Sequence, residues 1–139
     1  MTGNVAQVFL TNQDFSATLR GIHAALRPGG HLVFESRRPE YRAWLEWEQN
    51  SADAATNVAG TGAVTLRRDV TAINLPLVSF QQTYTFPDGT RIVSDSTLRF
   101  RSQAEIDHHL GEAGFTVLDV TEAPDRPGRE FVFVAQRTP

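Results

Sequence analysis

Apolar residues recur at helical spacing in the first part of the chain. Four of them follow at intervals of four, three and four residues, which places their side chains on one face of an α-helix. They are Phe15, Leu19, Ile22 and Leu26. Thr11 stands three residues before Asp14, where its side chain can cap a helix N-terminus. Pro28 disfavours helix before it, and Gly29 and Gly30 accept turn geometry, so the helix is predicted to end there.

Strand-like and helix-like segments then alternate at both ends of the chain. The apolar run His31–Glu35 is typical of a strand covered on both faces, as in a parallel sheet. Ser102–Glu105 matches a capping box and begins a second helix that Gly114 ends. Phe115–Val120 reads as a strand, and the apolar run Glu130–Ala135 predicts a final strand in a central position. Helix, glycine turn and buried strand make an α/β unit.

The middle of the chain has strand periodicity alone. Three runs, Val64–Val70, Val78–Phe86 and Ile92–Phe100, read as strands, and the first two place mostly apolar residues at every second position. Pro87–Gly89 between the last two predicts a hairpin, since Asp and Gly accept its turn dihedrals. We expect an antiparallel meander with one polar face. The preceding segment, Gln49–Gly62, is small and polar and predicts a loop.

Composition narrows the class of protein. The 139 residues are 40% hydrophobic and 21% charged, as in a soluble globular domain. We see no apolar run near the roughly 20 residues that a membrane span needs, and no signal-peptide pattern. The net charge of −3 gives no electrostatic reason for a nucleic-acid partner. With no cysteine, disulfides are excluded, and we expect a cytoplasmic protein without nucleic-acid or membrane partners.

An ordered series of segments resembles class I S-adenosylmethionine-dependent methyltransferases. Leu26–Val33, Leu-Arg-Pro-Gly-Gly-His-Leu-Val, resembles the turn before the family's fifth strand. Ser102–Phe115, which ends in Ala-Gly-Phe, looks like the family's last helix. Phe115–Thr121 and Glu130–Gln136 look like its sixth and seventh strands. Residues 57–101 fit the place where some members carry an antiparallel insertion over the active site.

The resemblance implies a fold and a division of the chain. The fold class is α/β, a partial Rossmann-like methyltransferase sheet with an antiparallel β-meander insertion, or α+β for the fragment taken alone. Residues 1–38 and 102–139 would form the α/β portion of a single domain. Residues 39–101 would form a helix and an antiparallel insertion that serves as lid or substrate region.

The segment that binds the methyl donor in this family is not recognisable in the chain. The family places a glycine-rich turn after its first strand and an acidic residue after its second. No Gly-x-Gly-x-Gly follows a strand here, and Gly60-Thr61-Gly62 lies in a polar loop. Met1–Phe9 resembles the end of the fourth strand and the loop beyond it. At about 30 residues per βα unit, about 90 residues of the family pattern would precede it. We therefore expect a C-terminal half, with weak or no binding of S-adenosylmethionine by this chain.

The same register assigns cofactor-binding candidates near the N-terminus. It places Gly3, Asn4 and Gln7 beside the methyl donor. The alternative for Gly3 and Asn4 is a frayed tail, which we expect for the isolated chain. The alternative for Gln7 is helix entry and core packing.

Other candidates follow the fifth strand and the meander. Glu35 is the catalytic candidate, because a carboxylate at the end of a parallel strand can orient or deprotonate a methyl acceptor. A solvated loop is its alternative. Arg37, Tyr41 and Trp44 are substrate-binding candidates, although core packing is the commoner fate of such aromatic residues. Arg99 is a further substrate candidate, with an exposed strand face as its alternative.

The function implied is methyl transfer to an unidentified small-molecule acceptor, with this chain alone inactive. The alternative is a non-enzymatic module, derived from that fold, for small-ligand binding or dimerisation. Half a sheet would expose an apolar strand edge, and such edges invite pairing, so we expect a homo-oligomer, a dimer or a swapped assembly. The four histidines lack ligand spacing such as His-x-x-x-His, so we expect no metal site.

Overall fold

The chain divides into two compact units. A computed structural model describes residues 1–51 and 53–138. The first unit comprises Met1–Tyr41 and Leu98–Pro139, and the second comprises Arg42–Thr97. No helix in the described part of the chain is long and apolar enough to cross a membrane.

The chain contains both helices and strands. In chain order they are a 3-10 turn (Val5–Val8), α1 (Asn12–Ala25), β1 (His31–Arg37), a second 3-10 turn (Pro39–Tyr41), α2 (Ala43–Gln49), β2 (Ala54–Val58), β3 (Gly62–Asn74), β4 (Leu77–Thr85), β5 (Arg91–Arg99), α3 (Gln103–Glu112), β6 (Phe115–Thr121) and β7 (Glu130–Arg137).

The first unit contains a three-stranded sheet in the order β1-β7-β6. Strand β7 is central, as its apolar run predicts, and pairs antiparallel with both neighbours. The prediction that β1 is covered on both faces with a parallel partner is wrong for the described residues. Its pairing is antiparallel to β7, and the face that carries Val33, 49% exposed, is open. An apolar run does not reveal that its valine points outward.

The core of the first unit is formed by side chains of helices α1 and α3 and by side chains on one face of this sheet. Phe34 and Phe133 lie on paired strands, and their rings stack with centroids 5.1 Å apart. Phe15 from α1 and Leu110 from α3 are almost completely buried. Each such side chain contributes about 1.5–3 kcal/mol through the apolar surface it removes from water. The predicted helical stripe therefore faces the core, with Ile22 and Leu26 at its margin.

The ends of both helices follow the predicted capping signals. The Thr11 side chain accepts a hydrogen bond from the Asp14 backbone N–H at 3.0 Å. Ser102 and Glu105 form both bonds of a capping box. Gly114 has φ of +86°, and a Cβ there would lie 2.8 Å from Nε2 of His23. Only glycine fits this turn, which joins α3 to β6.

The second unit is built on an antiparallel sheet in the order β2-β3-β4-β5. Its apolar side chains Val64, Val78 and Phe80 are buried, and Trp47 from α2 packs edge-on against Phe80 with ring centroids 5.2 Å apart. The predicted hairpin is confirmed, because the Phe86 N–H donates to the Thr90 carbonyl at 2.9 Å.

One prediction for this region is wrong. Strand β2 lies inside the segment that was predicted as a loop, and it pairs with β3 from Ala54 opposite Leu66 to Val58 opposite Gly62. All five of its residues are exposed. An edge strand of this kind is held by backbone hydrogen bonds, so it leaves no alternation of apolar side chains in the sequence.

A buried histidine on α3 lies against α1. Nδ1 of His109 is 2.9 Å from the Ser16 hydroxyl, and its ring meets the edge of Phe15 with centroids 5.5 Å apart. Burial lowers the pKa of His109, and the positive charges of Arg101, His108 and Arg99 lower it further, while Glu112 opposes them. The folded protein therefore disfavours the protonated ring.

We expect the stability of the first unit to fall on acidification through this group. Because the pKa of His109 is lower in the folded state, the unfolded state binds more protons once the pH falls below about 6.5, the unperturbed value. The contribution of His109 is thus complete above that pH and is lost as the pH falls. Denaturant unfolding at pH 5 and pH 8 measures the difference, which should shrink in His109→Gln.

The matched control is His31→Gln, which changes an exposed histidine at the start of β1. It should keep the full pH dependence of the parent chain. An equal loss of stability on acidification in His109→Gln and the parent would contradict the assignment.

Candidate functional site

The carboxylate of Glu35 anchors the N-terminal segment. Its Oε1 accepts the backbone N–H groups of Gly3 at 2.7 Å and Asn4 at 3.3 Å. Both residues have positive φ, +67° and +58°, which turns their two N–H groups toward one acceptor. The other oxygen of Glu35 lies 3.4 Å from Nη2 of Arg126. The side chain is 18% exposed, and both of its oxygens are engaged.

A second carboxylate is buried beside the first. Glu130 is 3% exposed and opens β7 opposite Arg37 in the register. Its Oε1 accepts from the Asn4 amide at 2.7 Å and from Arg126 at 3.0 Å. The nearby Glu130 charge raises the pKa of Arg126. Oε2 of Glu130 and Oδ1 of Asn4 are buried without a hydrogen-bond partner among the described residues.

Gln7 connects the N-terminal segment to two arginines. It is 1% exposed, so its amide needs partners inside the protein. Its Oε1 accepts from Arg37 at 2.9 Å, and its Nε2 donates to the Arg99 carbonyl at 3.4 Å. Arg99 itself donates to the Leu10 carbonyl at 3.0 Å and lies 3.6 Å from the Glu105 carboxylate. Gln7 is thus buried with both ends of its amide hydrogen-bonded.

Arg101, two residues beyond Arg99, is also buried. It is 2% exposed, and its guanidinium lies 4.4 Å from the Phe15 ring while donating to the Thr11 carbonyl at 3.0 Å. Burial lowers the pKa of Arg101 to about 10. The alternative of an exposed strand face is wrong for Arg99, whose side chain is only 17% exposed.

A cavity of about 490 Å³ opens next to the end of β1. Its walls come from the segment after β1, the start of α3 and the start of β7. The lining residues are Arg38, Glu40, Tyr41, Gln103, Gly128 and Phe131. The Arg38 guanidinium lies 4.3 Å above the Phe131 ring, and that of Arg129 lies 5.0 Å from the Tyr41 ring. Aromatic surface and charged groups therefore meet in one concave site.

The structure brings together six of the eight predicted site residues. These are Gly3, Asn4, Gln7, Glu35, Arg37 and Arg99. Tyr41 lines the cavity, whereas Trp44 is buried in the second unit. The expected frayed tail is wrong, because Asn4 is 3% exposed and hydrogen-bonded. The solvated loop for Glu35 is also wrong, since β1 extends to Arg37. The catalytic and binding roles of these residues stay predictions.

Sequence reasoning missed Glu130 and Arg126. Glu130 was assigned to a strand without a role for its charge, and Arg126 was given no role. A glutamate at the start of the apolar run Glu130–Ala135 was a usable signal, because a charge there is buried as soon as the strand is central.

Comparison with known proteins shows the fold. No family model and no curated protein matches the sequence. An S-adenosylmethionine-dependent methyltransferase from Clostridium acetobutylicum matches 99% of this chain and 56% of its own, with a TM-score of 0.74 and 13% identity. CalS10, an amino pentose methyltransferase from Micromonospora echinaspora solved with S-adenosylmethionine bound, matches 99% and 57% (TM-score 0.70, 22% identity). The sugar N-methyltransferase KedS8 from Streptoalloteichus matches 96% and 53% (TM-score 0.73, 16% identity).

The chain therefore has the α/β fold of part of a methyltransferase domain. It spans about half the length of the solved structures that it matches. The described residues do not by themselves fit S-adenosylmethionine at the predicted positions. The N–H groups of Gly3 and Asn4 both serve Glu35, and both ends of the Gln7 amide are engaged. The unpartnered Oδ1 of Asn4 is buried.

Removal of the Glu35 carboxylate should release the N-terminal segment. In Glu35→Ala two backbone donors and Arg126 lose an acceptor, so we expect the free energy of unfolding to fall by about 1–3 kcal/mol. Amide hydrogen exchange at Asn4 should accelerate, and Glu35→Gln, which keeps one acceptor oxygen, should show a smaller effect. Glu48→Ala, at an exposed position of α2, is the control. Unchanged exchange at Asn4 in Glu35→Ala would refute the anchoring role.

Proposed function

We propose that this chain is the C-terminal portion of an S-adenosylmethionine-dependent methyltransferase and is inactive alone. The complete enzyme would transfer a methyl group to a small-molecule acceptor. The observation that carries the proposal is the coverage: 96–99% of this chain matches methyltransferases, but only 53–57% of each of them is matched. The order of segments from the glycine turn to the last strand supports the assignment to the C-terminal half.

Cofactor chemistry in such an enzyme would be supplied by S-adenosylmethionine, whose sulfonium is the family's methyl source. The residues of this chain would position groups rather than react. Glu35 would hold the Gly3–Asn4 turn in place through its two backbone bonds. Gln7 and Arg37 would brace the segment that follows. Methyl transfer by direct displacement requires alignment and exclusion of water, and these are what a rigid, hydrogen-bonded edge provides.

The cavity beside β1 is the proposed acceptor site. It lies next to the carboxyl end of β1, where open α/β sheets bind their ligands. Tyr41, one of the predicted substrate-binding residues, lines this cavity, and the lining residue Arg38 follows Arg37 directly in the chain. Two of the neighbours are described as an amino pentose methyltransferase and a sugar N-methyltransferase, so small polar acceptors occur on this fold.

A second candidate is association of two copies through β1. Strand β1 is at one end of the three-stranded sheet and has β7 as its strand neighbour among the described residues. On the edge of β1 that faces away from β7, the Met1 amine donates a hydrogen bond to the Val33 carbonyl at 2.7 Å. An edge strand with an exposed apolar side chain, here Val33, favours pairing with another chain, which supports a dimerisation module as the alternative function.

We expect the chain alone to show no micromolar affinity for S-adenosylmethionine in a calorimetric titration. The same titration on the polypeptide translated together with the codons upstream of Met1 tests the proposal itself. A strand and a glycine-rich turn encoded there, with binding restored, would support it. Micromolar binding by the chain alone, or an upstream region without these elements, would overturn it.

Light scattering tests the second candidate. Pairing through β1 predicts a dimer whose population rises with protein concentration, since association follows mass action. Val33→Lys places a charge on the exposed apolar position of β1 and should shift the equilibrium toward monomer. Leu118→Lys, at an exposed apolar position of β6, is the matched control. A clean monomer at high concentration in the parent chain would contradict the prediction.

A further inference from the structure

The cavity beside β1 contains two polar side chains that the fold does not use. Glu40 and Gln103 are exposed and line its wall. Within residues 1–51 and 53–138, neither side chain has a hydrogen-bond or ion-pair partner. The carboxylate can only accept hydrogen bonds, whereas the amide offers both donors and an acceptor. Both groups are therefore available to a ligand.

Arg38 supplies a donor that is already held in position. Its Nε donates to the Glu130 carbonyl and its Nη2 pairs with Glu122, each at 3.3 Å, and its Cζ lies 4.3 Å from the centroid of the Phe131 ring. A guanidinium has five N–H donors in a rigid fork. In the described part of the chain, Nη1 of Arg38 has no partner. Because Nε and Nη2 already hold the side chain in position, a ligand that binds Nη1 costs less conformational entropy.

Charge around the cavity selects against a charged ligand. An anion drawn to Arg38 would meet the free Glu40 carboxylate on the same wall. A cation drawn to Glu40 would meet the Arg38 guanidinium. A neutral molecule that both donates and accepts satisfies the carboxylate, the amide and the guanidinium together. A hydroxyl group does both, and adjacent hydroxyls on a ring can serve several wall groups at once.

The cavity also offers aromatic surface. The half-buried ring of Tyr41 contributes apolar wall to the site, and Phe131 lies almost completely buried beneath the Arg38 guanidinium. Binding sites for small molecules combine such surface with a few placed polar groups, and volumes of about 300–1,000 Å³ are usual. At about 490 Å³ the cavity has room for a six-membered ring with its hydroxyl groups.

We propose that this cavity binds a neutral, polyhydroxylated ring of monosaccharide size. Glu40 accepts from hydroxyl groups of the ligand, Nη1 of Arg38 donates to a neighbouring oxygen, and Gln103 bonds a third position. One apolar face of the ring packs toward Tyr41. As the acceptor class of the methyl transfer, this inference rests on the proposed function, but the binding itself requires no methyl donor.

Titration of the chain with methyl β-D-glucopyranoside, followed by amide chemical shifts, tests the proposal. We expect saturable shifts at Glu40, Gln103 and Gly128. Glu40→Ala and Gln103→Ala each remove an exposed side chain without a partner in the fold, so neither should unfold the protein. Each should weaken binding by about fivefold, as expected for the loss of one hydrogen bond.

Charged ligands of the same size and a matched variant complete the test. Glucuronate and glucosamine should each bind more weakly than the neutral glycoside. Glu48→Ala, an exposed glutamate on α2, should leave the affinity unchanged. Tighter binding of either charged sugar, unchanged affinity in Glu40→Ala, or no saturable shift up to tens of millimolar glycoside would overturn the proposal. These outcomes are independent of S-adenosylmethionine binding, so failure of the proposed function is seen separately.

Discussion

The burial of the Glu130 carboxylate is the constraint on which the rest of the first unit depends. A charge that is 3% exposed is costly unless it is paired and hydrogen-bonded. Glu130 takes its partners from the N-terminal segment, through Asn4, and from the turn before β7, through Arg126. Arg126 reaches on to Glu35 in β1, and Glu35 holds Gly3 and Asn4. Four separated segments are therefore fixed by one closed set of charge-assisted bonds at one end of the sheet.

Local signals in the sequence were sufficient for the helices but not for the sheet. Thr11 and Ser102 cap their helices through contacts within four residues, so their patterns could be read directly. The central place of β7 also followed from its apolar run. The surroundings of β1 did not, because the outward direction of Val33 depends on which strands lie beside it. Strand β2 was invisible for the opposite reason, since its pairing uses the backbone and leaves the side chains exposed.

The sequence predicted members of the site only where the order of segments resembles that of the family. The family register brought Gly3, Asn4, Gln7 and Glu35 to one region, and they do lie together. It could not supply Glu130, which is 126 positions from its partner Asn4. The pairing of Gln7 with Arg37 was equally hidden, because no pattern along the sequence indicates a contact between two residues 30 positions apart. Contacts of this range are set by the packed fold rather than by spacing.

Two glutamates near the same strand, Glu35 and Glu40, differ in whether their carboxylates have hydrogen-bond partners within the fold, and this difference separates a structural role from a proposed binding role. Glu35 has both oxygens occupied, so its bonds determine where the N-terminal segment lies. Glu40 lies five residues further along, beside a cavity, and has no partner in the described chain. A carboxylate already saturated by internal donors offers little to a ligand, whereas a free one beside aromatic surface can form bonds without breaking any. The sequence made Glu35 the catalytic candidate, but both of its oxygens are engaged within the fold. Glu40, with its neighbours Arg38 and Gln103, has groups left for the proposed ligand.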